Sequence, residues 1–172
     1  MSPALSKRWG RTSSPAVAVA PGEKVLAAAT AVDGTELAGT RDAFYVVTGG
    51  ETRRVPWEQV EAADWDRDTE TFRLSEVGSW GEQRPVHTAT LTEPGRLLEL
   101  VRERVTASLV LQRHVTVSRR RGLRVIARRA PSGQGRIQWV YEYDEGVDPD
   151  DPAVREIARE ALDVMRRDVG LP

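Results

Sequence analysis

The chain has 172 residues, of which 40% are hydrophobic and 30% are charged, as is typical of one soluble globular domain with or without an appendage. It has no cysteine, which excludes disulfides, cysteine-ligated zinc, iron–sulfur clusters and a thiol nucleophile. The net charge of -1 gives no overall preference for polyanions, and no apolar run approaches the about 20 residues of a membrane span.

Residues 1–21 mix serine, proline and alanine with basic residues, and we expect a flexible leader there. A short anchoring helix over residues 5–9 is the alternative. The only apolar core for a secretory signal, residues 16–20, is shorter than the roughly 7–15 residues required and is flanked by Pro15 and Pro21. We therefore expect a cytoplasmic protein.

Short β-like runs separated by turn residues begin at residue 24. Asp33-Gly34 is a hairpin signal, because glycine accepts the positive φ of a type I′ turn. Pro56 has no amide donor and marks a bulge or a strand end. The expected strands cover residues 24–31, 35–40, 43–48, 52–56, 57–65, 71–75 and 85–91. These strands would leave open edges unless they close into a barrel or pack as two orthogonal sheets.

The hydrophobic period then changes from that of a strand to that of a helix. One apolar stripe predicts a helix over about residues 93–111. Thr92 is the expected N-cap, and Pro94 lies in the first turn. The stripe is wide enough to close one open corner of the strands. Its members are Leu97, Leu98, Val101, Val105 and Leu109.

Three alternating runs and a second amphipathic stripe follow. Residues 114–118, 122–130 and 136–143 are predicted strands. A final helix begins near Asp150 or Asp151, with Pro152 at its first position, and Gly170 is a natural stop. Its buried stripe comprises Val154, Ile157, Ala158, Ala161, Leu162 and Met165. On the preceding strand Trp139, Tyr141 and Tyr143 are expected to pack under this helix.

Three segments of the first half carry a family resemblance. They are LAGTRDAFYVV at residues 37–47, TRRVPWEQV at residues 52–60 and ADWD at residues 63–66. This pattern resembles the bacterial pleckstrin-homology-like (PH-like) superfamily, which includes small actinobacterial proteins of unknown function. The resemblance covers about residues 22–111 and implies a seven-stranded barrel closed by a C-terminal helix.

The expected organisation is therefore an α+β protein in three parts. Residues 1–21 form the flexible leader, and residues 22–111 form the PH-like barrel with its closing helix. Residues 112–172 form an extension of a three-stranded antiparallel sheet and a final helix. Such an extension has no counterpart in a minimal PH-like domain.

No catalytic constellation is visible in the sequence. His87 shares a strand face with apolar residues, so a hydrogen-bonded, partly buried histidine is favoured over a general base. His114 is expected to be a solvated strand residue, and Ser79 lacks the G-x-S-x-G context of a nucleophile. We expect a non-enzyme with nothing reactive inside the strands. A wet cavity that places His87 beside a carboxylate would contradict this expectation.

Metal and phosphate motifs are also missing. Asp64, Asp66, Asp68 and Glu70 alternate, but the residues that an EF-hand loop needs at its sixth and twelfth positions are absent, so a solvated hairpin tip is favoured. Neither of the two glycine-rich phosphate-binding patterns occurs. The turn at residues 32–36 is acidic, which makes phosphoinositide binding there unfavourable. No cofactor is expected.

Charge is distributed asymmetrically along the second half. Between residues 102 and 136 there are ten arginines and one acid, and between residues 142 and 172 there are ten acids and four arginines. A sheet face of guanidinium groups can hold phosphate or carboxylate in bidentate geometry. The alternative is pairing within the molecule, with Glu142, Asp144 or the acidic start of the final helix. The candidate anion or partner surface consists of Arg119, Arg120, Arg121, Arg124, Arg128 and Arg129.

Strand alternation refines this surface. Arg124 and Arg128 are expected to face away from Leu123, Val125 and Ala127. The leading functional hypothesis is a non-catalytic module that binds a protein partner. The alternative is binding of nucleic acid or another polyanion through residues 113–136, which predicts steep salt dependence. An enzyme with an unrecognised pocket is the third hypothesis.

Overall fold

The structure is a computed structural model that describes residues 17–78 and 83–170. Within these residues, ten strands form three antiparallel sheets, accompanied by two α-helices. This arrangement confirms the expected α+β class. Ser79 and the alternative helix over residues 5–9 lie outside the described residues. No helix in the described part is long and apolar enough to cross a membrane.

The first seven strands lie in two sheets rather than in the expected closed barrel. The four-stranded sheet has the order β1-β2-β3-β4, and the three-stranded sheet has the order β5-β6-β7. The strands are β1 (Ala27–Thr30), β2 (Glu36–Gly39), β3 (Ala43–Thr48), β4 (Glu51–Pro56), β5 (Val60–Asp66), β6 (Thr71–Glu76) and β7 (Val86–Thr90).

The first seven strands form two sheets because of the path that the chain takes after β4. It passes through a 3-10 turn over Trp57–Gln59, so β5 starts a new sheet instead of pairing with β4. At the opposite edges, the amide of Val32 donates to the carbonyl of Thr90 at 3.0 Å, but β1 and β7 form no ladder among the described residues. The predicted strand over residues 57–65 is therefore shortened at its start.

Aromatic side chains fill the space between the two sheets. Trp57 is fully buried, and its indole nitrogen donates to the carbonyl of Thr40 at 3.0 Å. The ring of Phe44 lies 5.9 Å from that of Trp57 and 5.8 Å from that of Phe72, between ring centroids. Trp57 is thus the largest fully buried side chain among the residues that the structure describes.

The first helix, α1 (Leu97–Ser108), packs its apolar stripe against this core. It is shorter than predicted at both ends. Gly95 has a φ of 54°, and Arg96 takes the N-cap position, so Thr92 is not the cap. At the other end Leu109 pairs with a strand instead of continuing the helix.

Residues 17–26 lie against the outer face of the four-stranded sheet. Val17 is buried there in a small cluster with Ala38, Ala43 and Tyr45. The expected flexible leader therefore does not extend to residue 21, because its last part packs on the sheet.

Glu23 ties this segment to the sheet through a hydrogen-bonded network. Its carboxylate accepts from the hydroxyls of Thr40 at 2.5 Å and Tyr45 at 3.0 Å, and from the guanidinium of Arg54 at 2.5 Å and 2.9 Å. Burial alone raises the pKa of Glu23, but these hydrogen bonds outweigh burial, so the pKa lies below its ordinary value. The carboxylate is thus stabilised in its charged form.

The third sheet has the order β10-β9-β8, and the second helix covers one of its faces. Its elements are β8 (Leu109–Ser118), β9 (Arg121–Arg128), β10 (Gln138–Tyr143) and α2 (Pro152–Asp168). Asp151 caps α2 by accepting a hydrogen bond from the amide of Ala153 at 2.8 Å, as the sequence indicates. The predicted stripe of α2 and the three aromatic side chains of β10 pack together beneath the helix.

Candidate anion-binding groove

A groove of about 720 Å³ lies between the β8–β9 turn and the start of α2. Arg119, Arg120 and Arg121 line one side of it, and Asp148 and Asp151 line the other. The turn brings the three arginines together because the chain reverses direction between the two strands. We call these three residues the arginine cluster.

The backbone on both sides shapes the groove. Arg119 has a φ of 53°, a left-handed conformation that only a tight turn imposes on a residue with a side chain. On the opposite side Gly146 has a φ of 83°, and a Cβ there would lie 2.5 Å from Nη1 of Arg121. The guanidinium of Arg121 therefore packs close to the backbone at Gly146, where the left-handed φ favours glycine.

The arginine cluster differs from the neighbouring arginines in its partners. Arg124 donates to Glu142 across β9 and β10 at 3.0 Å, and Arg113 contacts Asp168 at 3.4 Å. Arg124 and Arg113 are therefore paired within the molecule, which is the alternative that the sequence left open. In contrast, the arginine cluster makes no salt bridge with any described residue, and all three residues are exposed.

The two aspartates of the groove are occupied by local turns. A carboxylate oxygen of Asp148 accepts from the amide of Asp150 at 2.9 Å, and Asp151 holds the α2 cap. The groove therefore has a cationic side with free donors and an anionic side whose acceptors are partly satisfied. This mixed field favours a short anionic segment that fits on the cationic side over a long, continuous polyanion such as nucleic acid.

Arg128 does not belong to an exposed surface, contrary to the prediction from alternation. Its exposed fraction is 7%, and its guanidinium donates to the hydroxyl of Ser108 at 2.9 Å and to the carbonyl of Glu61 at 3.0 Å. Burial lowers its pKa from the ordinary arginine value. Alternation assigned the correct face, but β5 and the end of α1 cover that face at this end of β9.

Arg129 is also separated from the arginine cluster. It is half-buried, its amide donates to the carbonyl of Ser108 at 2.9 Å, and its buried Nε has no hydrogen-bond partner among the described residues. β9 rises about 3.3 Å per residue, so this end of the strand lies roughly 20 Å from the β8–β9 turn. The six predicted residues therefore fall into separate environments.

A second polar site lies between the first two sheets, and its central residue was not predicted from the sequence. Glu76 is 6% exposed, and its carboxylate accepts from Arg53 at 3.0 Å and 2.5 Å and contacts Nε2 of His87 at 2.7 Å. Glu76 continues the inward-facing series of Phe72 and Leu74 on β6. An acid in that series was the available signal, because a buried carboxylate needs partners.

This cluster borders a groove of about 260 Å³ that His87 lines together with threonine side chains. His87 is thus a half-buried, hydrogen-bonded histidine at the margin of an open groove, which agrees with the interpretation that the sequence favours. Burial raises the pKa of Glu76, but hydrogen bonds from Arg53 and His87 outweigh burial and hold the pKa below its ordinary value.

The remaining predicted features behave as simple surface structure. His114 is exposed, as expected, and contacts Asp144 at 3.0 Å. Asp66 accepts from the amides of Asp68 and Thr69 at the β5–β6 turn, which is the expected hairpin tip. No group of three or more potential metal ligands occurs among the described residues.

Known proteins provide no guide to this site. No family model matches the chain, and neither a curated protein nor a solved structure does. The functional argument therefore rests on the geometry and charge of the chain itself.

Proposed function

We propose that the protein is a non-catalytic interaction module that binds an anionic segment of a protein partner in the groove beside the arginine cluster. The observation that carries this proposal is the group of three neighbouring arginines, exposed in a groove and unpaired within the described residues. Guanidinium groups with free donors bind carboxylate or phosphate in bidentate geometry.

A protein partner is favoured over nucleic acid by the surroundings of the groove. Asp148 and Asp151 face the arginine cluster and would repel a continuous phosphate backbone. Base stacking needs exposed aromatic rings beside the basic residues, whereas Trp139, Tyr141 and Tyr143 pack beneath α2. A short acidic peptide can place its carboxylates on one side only.

The first seven strands and α1 form, in this proposal, a PH-like unit that supports the third sheet. The division into four and three strands, with one amphipathic helix packed on the shared core, supports this assignment. A cytoplasmic location, expected from the sequence, belongs to the same proposal. Cell fractionation tests it.

We assign the cluster of Arg53, Glu76 and His87 a structural role within this proposal. Arg53 extends from β4 and Glu76 from β6, so their ion pair joins the two sheets. The carboxylate already accepts two hydrogen bonds from Arg53, and His87 takes a third contact. These contacts support a structural link between the two sheets, of which His87 is a part.

The test measures the binding of fluorescent hexaglutamate and of a mixed-sequence single-stranded oligonucleotide at two salt concentrations. One variant replaces Arg119, Arg120 and Arg121 with glutamine. The matched control replaces three exposed, paired arginines, Arg124, Arg155 and Arg159, and so changes the net charge equally.

We expect hexaglutamate to bind the natural chain and to lose at least about tenfold in affinity with the first variant, because about 1.4 kcal/mol suffices for that loss. The control variant is expected to change affinity less than about threefold. Tighter binding of the oligonucleotide, with a steep salt dependence, would establish the nucleic-acid alternative. Absence of binding by either probe at low salt would refute the proposal.

A further inference from the structure

The strand that leads into the arginine cluster is the edge strand of its sheet. β8 follows β9 in the order β10-β9-β8, and no described strand pairs with its other side. Register shifts interrupt β8 between Leu109 and Leu111 and between Thr116 and Ser118. The six residues from 111 to 116 form the regular stretch between them, about 20 Å long at about 3.3 Å per residue.

The hydrogen bonds of β9 define which groups of β8 face outward. The carbonyl of Gly122 accepts from the amide of Asp144, and the amide of Gly122 donates to the side chain of Asp144. The backbone groups of even-numbered β9 residues therefore point toward β10, and those of odd-numbered residues point toward β8.

The β8–β9 register shows which residues of β8 direct their backbone groups toward β9. Leu111, Arg113 and Val115 lie opposite the odd-numbered residues Ala127, Val125 and Leu123, so their backbone groups bond to β9.

The amides and carbonyls of the alternate residues, Gln112, His114 and Thr116, consequently point to the open edge. Such a row of unpaired donors and acceptors is a template for another strand.

Charge and burial at this edge indicate what kind of strand fits. Arg113 lies on β8, and the arginine cluster follows directly after Ser118, so the edge ends in a cationic patch. Val115 and Val117 are half-buried at the margin of the core beneath α2. An added strand with apolar residues at alternate positions would cover them, and acidic residues at its end would reach the arginines.

We propose that the anionic partner binds as an extended strand, antiparallel to β8, with acidic residues at its N-terminal end placed in the groove. This inference rests on the proposed function, because it specifies how the same groove is occupied. The antiparallel direction follows the pairing of all three sheets. It places the N-terminal end of the partner beside the C-terminal end of β8, where the arginine cluster begins.

The first experiment uses a fluorescent peptide of three glutamates followed by alternating valine and threonine. Two isomers carry backbone N-methyl groups on the odd or on the even positions of the alternating part. In a β-pairing only every second amide faces β8, so one isomer should lose at least about tenfold in affinity while the other stays within about threefold of the parent.

The second experiment removes one outward amide from the full-length protein. Gln112→Pro deletes a donor at the open edge and leaves the β8–β9 bonds in place, and an edge strand tolerates proline there. Gln112→Val is the matched control, because it keeps the amide. We expect the proline variant to weaken the parent peptide at least about tenfold and the valine variant to leave it unchanged, with equal melting temperatures.

The outcomes separate this inference from the proposed function. Equal affinities of the two methylated isomers, together with weaker binding by the arginine-cluster variant, would overturn strand addition and retain the anion-binding groove. No binding of any peptide would overturn both. Sedimentation tests for a dimer of the natural chain that Gln112→Pro abolishes. Such a dimer would assign the edge to a second copy of this chain and overturn the proposal that a strand of another protein binds there.

Discussion

Replacing Arg128 tests whether the two halves of the fold are joined by a buried cation. Its guanidinium donates to Ser108 at the end of α1 and to the backbone carbonyl of Glu61 on β5. A hydrogen bond from a charged donor contributes roughly 1.5–3 kcal/mol, and the cost of burying the charge offsets part of this. We therefore expect Arg128→Ala to lower the free energy of unfolding by about 2–4 kcal/mol.

The measurement is urea unfolding followed by linear extrapolation, with Arg124→Ala as the matched control from the same strand. The salt bridge of Arg124 is solvent-exposed, so its loss should cost less than about 1 kcal/mol. Arg128→Ala should also leave hexaglutamate binding unchanged, because Arg128 lies far from the arginine cluster. Equal stability of the two variants, or a loss of affinity in a folded Arg128→Ala protein, would refute the reasoning.

Three further predictions concern stability. Trp57→Ala should lower the free energy of unfolding by about 3–5 kcal/mol in urea titration, since the side chain is fully buried, and a near-neutral result would place it outside the core. The pKa of Glu76 is lowered on folding, so its contribution is present above the ordinary value of 4.5 and is lost as pH falls through the folded pKa. In an acid titration, the free energy of unfolding of Glu76→Gln should therefore fall less steeply below pH 4.5 than that of the natural chain. An unchanged slope would contradict this. Gly122→Ala would place a Cβ 1.9 Å from the carbonyl oxygen of Val115, so about 1–3 kcal/mol should be lost in thermal melts, whereas retained stability would argue against this register.

Elements with a regular hydrophobic period were predictable from the sequence. The β3 strand has the expected bounds, 43–48, because alternate residues bury on opposite faces of the sheet. The α2 helix was predictable because Asp151 and Pro152 mark its start and a complete apolar stripe follows. These signals are local, so no knowledge of distant contacts was needed.

The end of α1 was not predictable, because two local preferences compete there. Leu109 fits both the helical stripe and an alternating strand. Leu109 joins the strand because it pairs with Arg128 on β9, and that pairing depends on residues much later in the chain. The closed barrel is not found for a related reason, since strand count does not determine whether the chain turns out of one sheet into another.

The sequence by itself determined the α+β class, the places of α2 and of most strands, and the basic block of the second half, because period, caps and charge are properties of short segments. Only the tertiary structure decided which arginines reach solvent. Arg124 and Arg128 lie on the same face of one strand, yet the first is exposed and the second is buried against α1 and β5. Burial depends on what packs against a face, and that contact comes from residues far away in the chain.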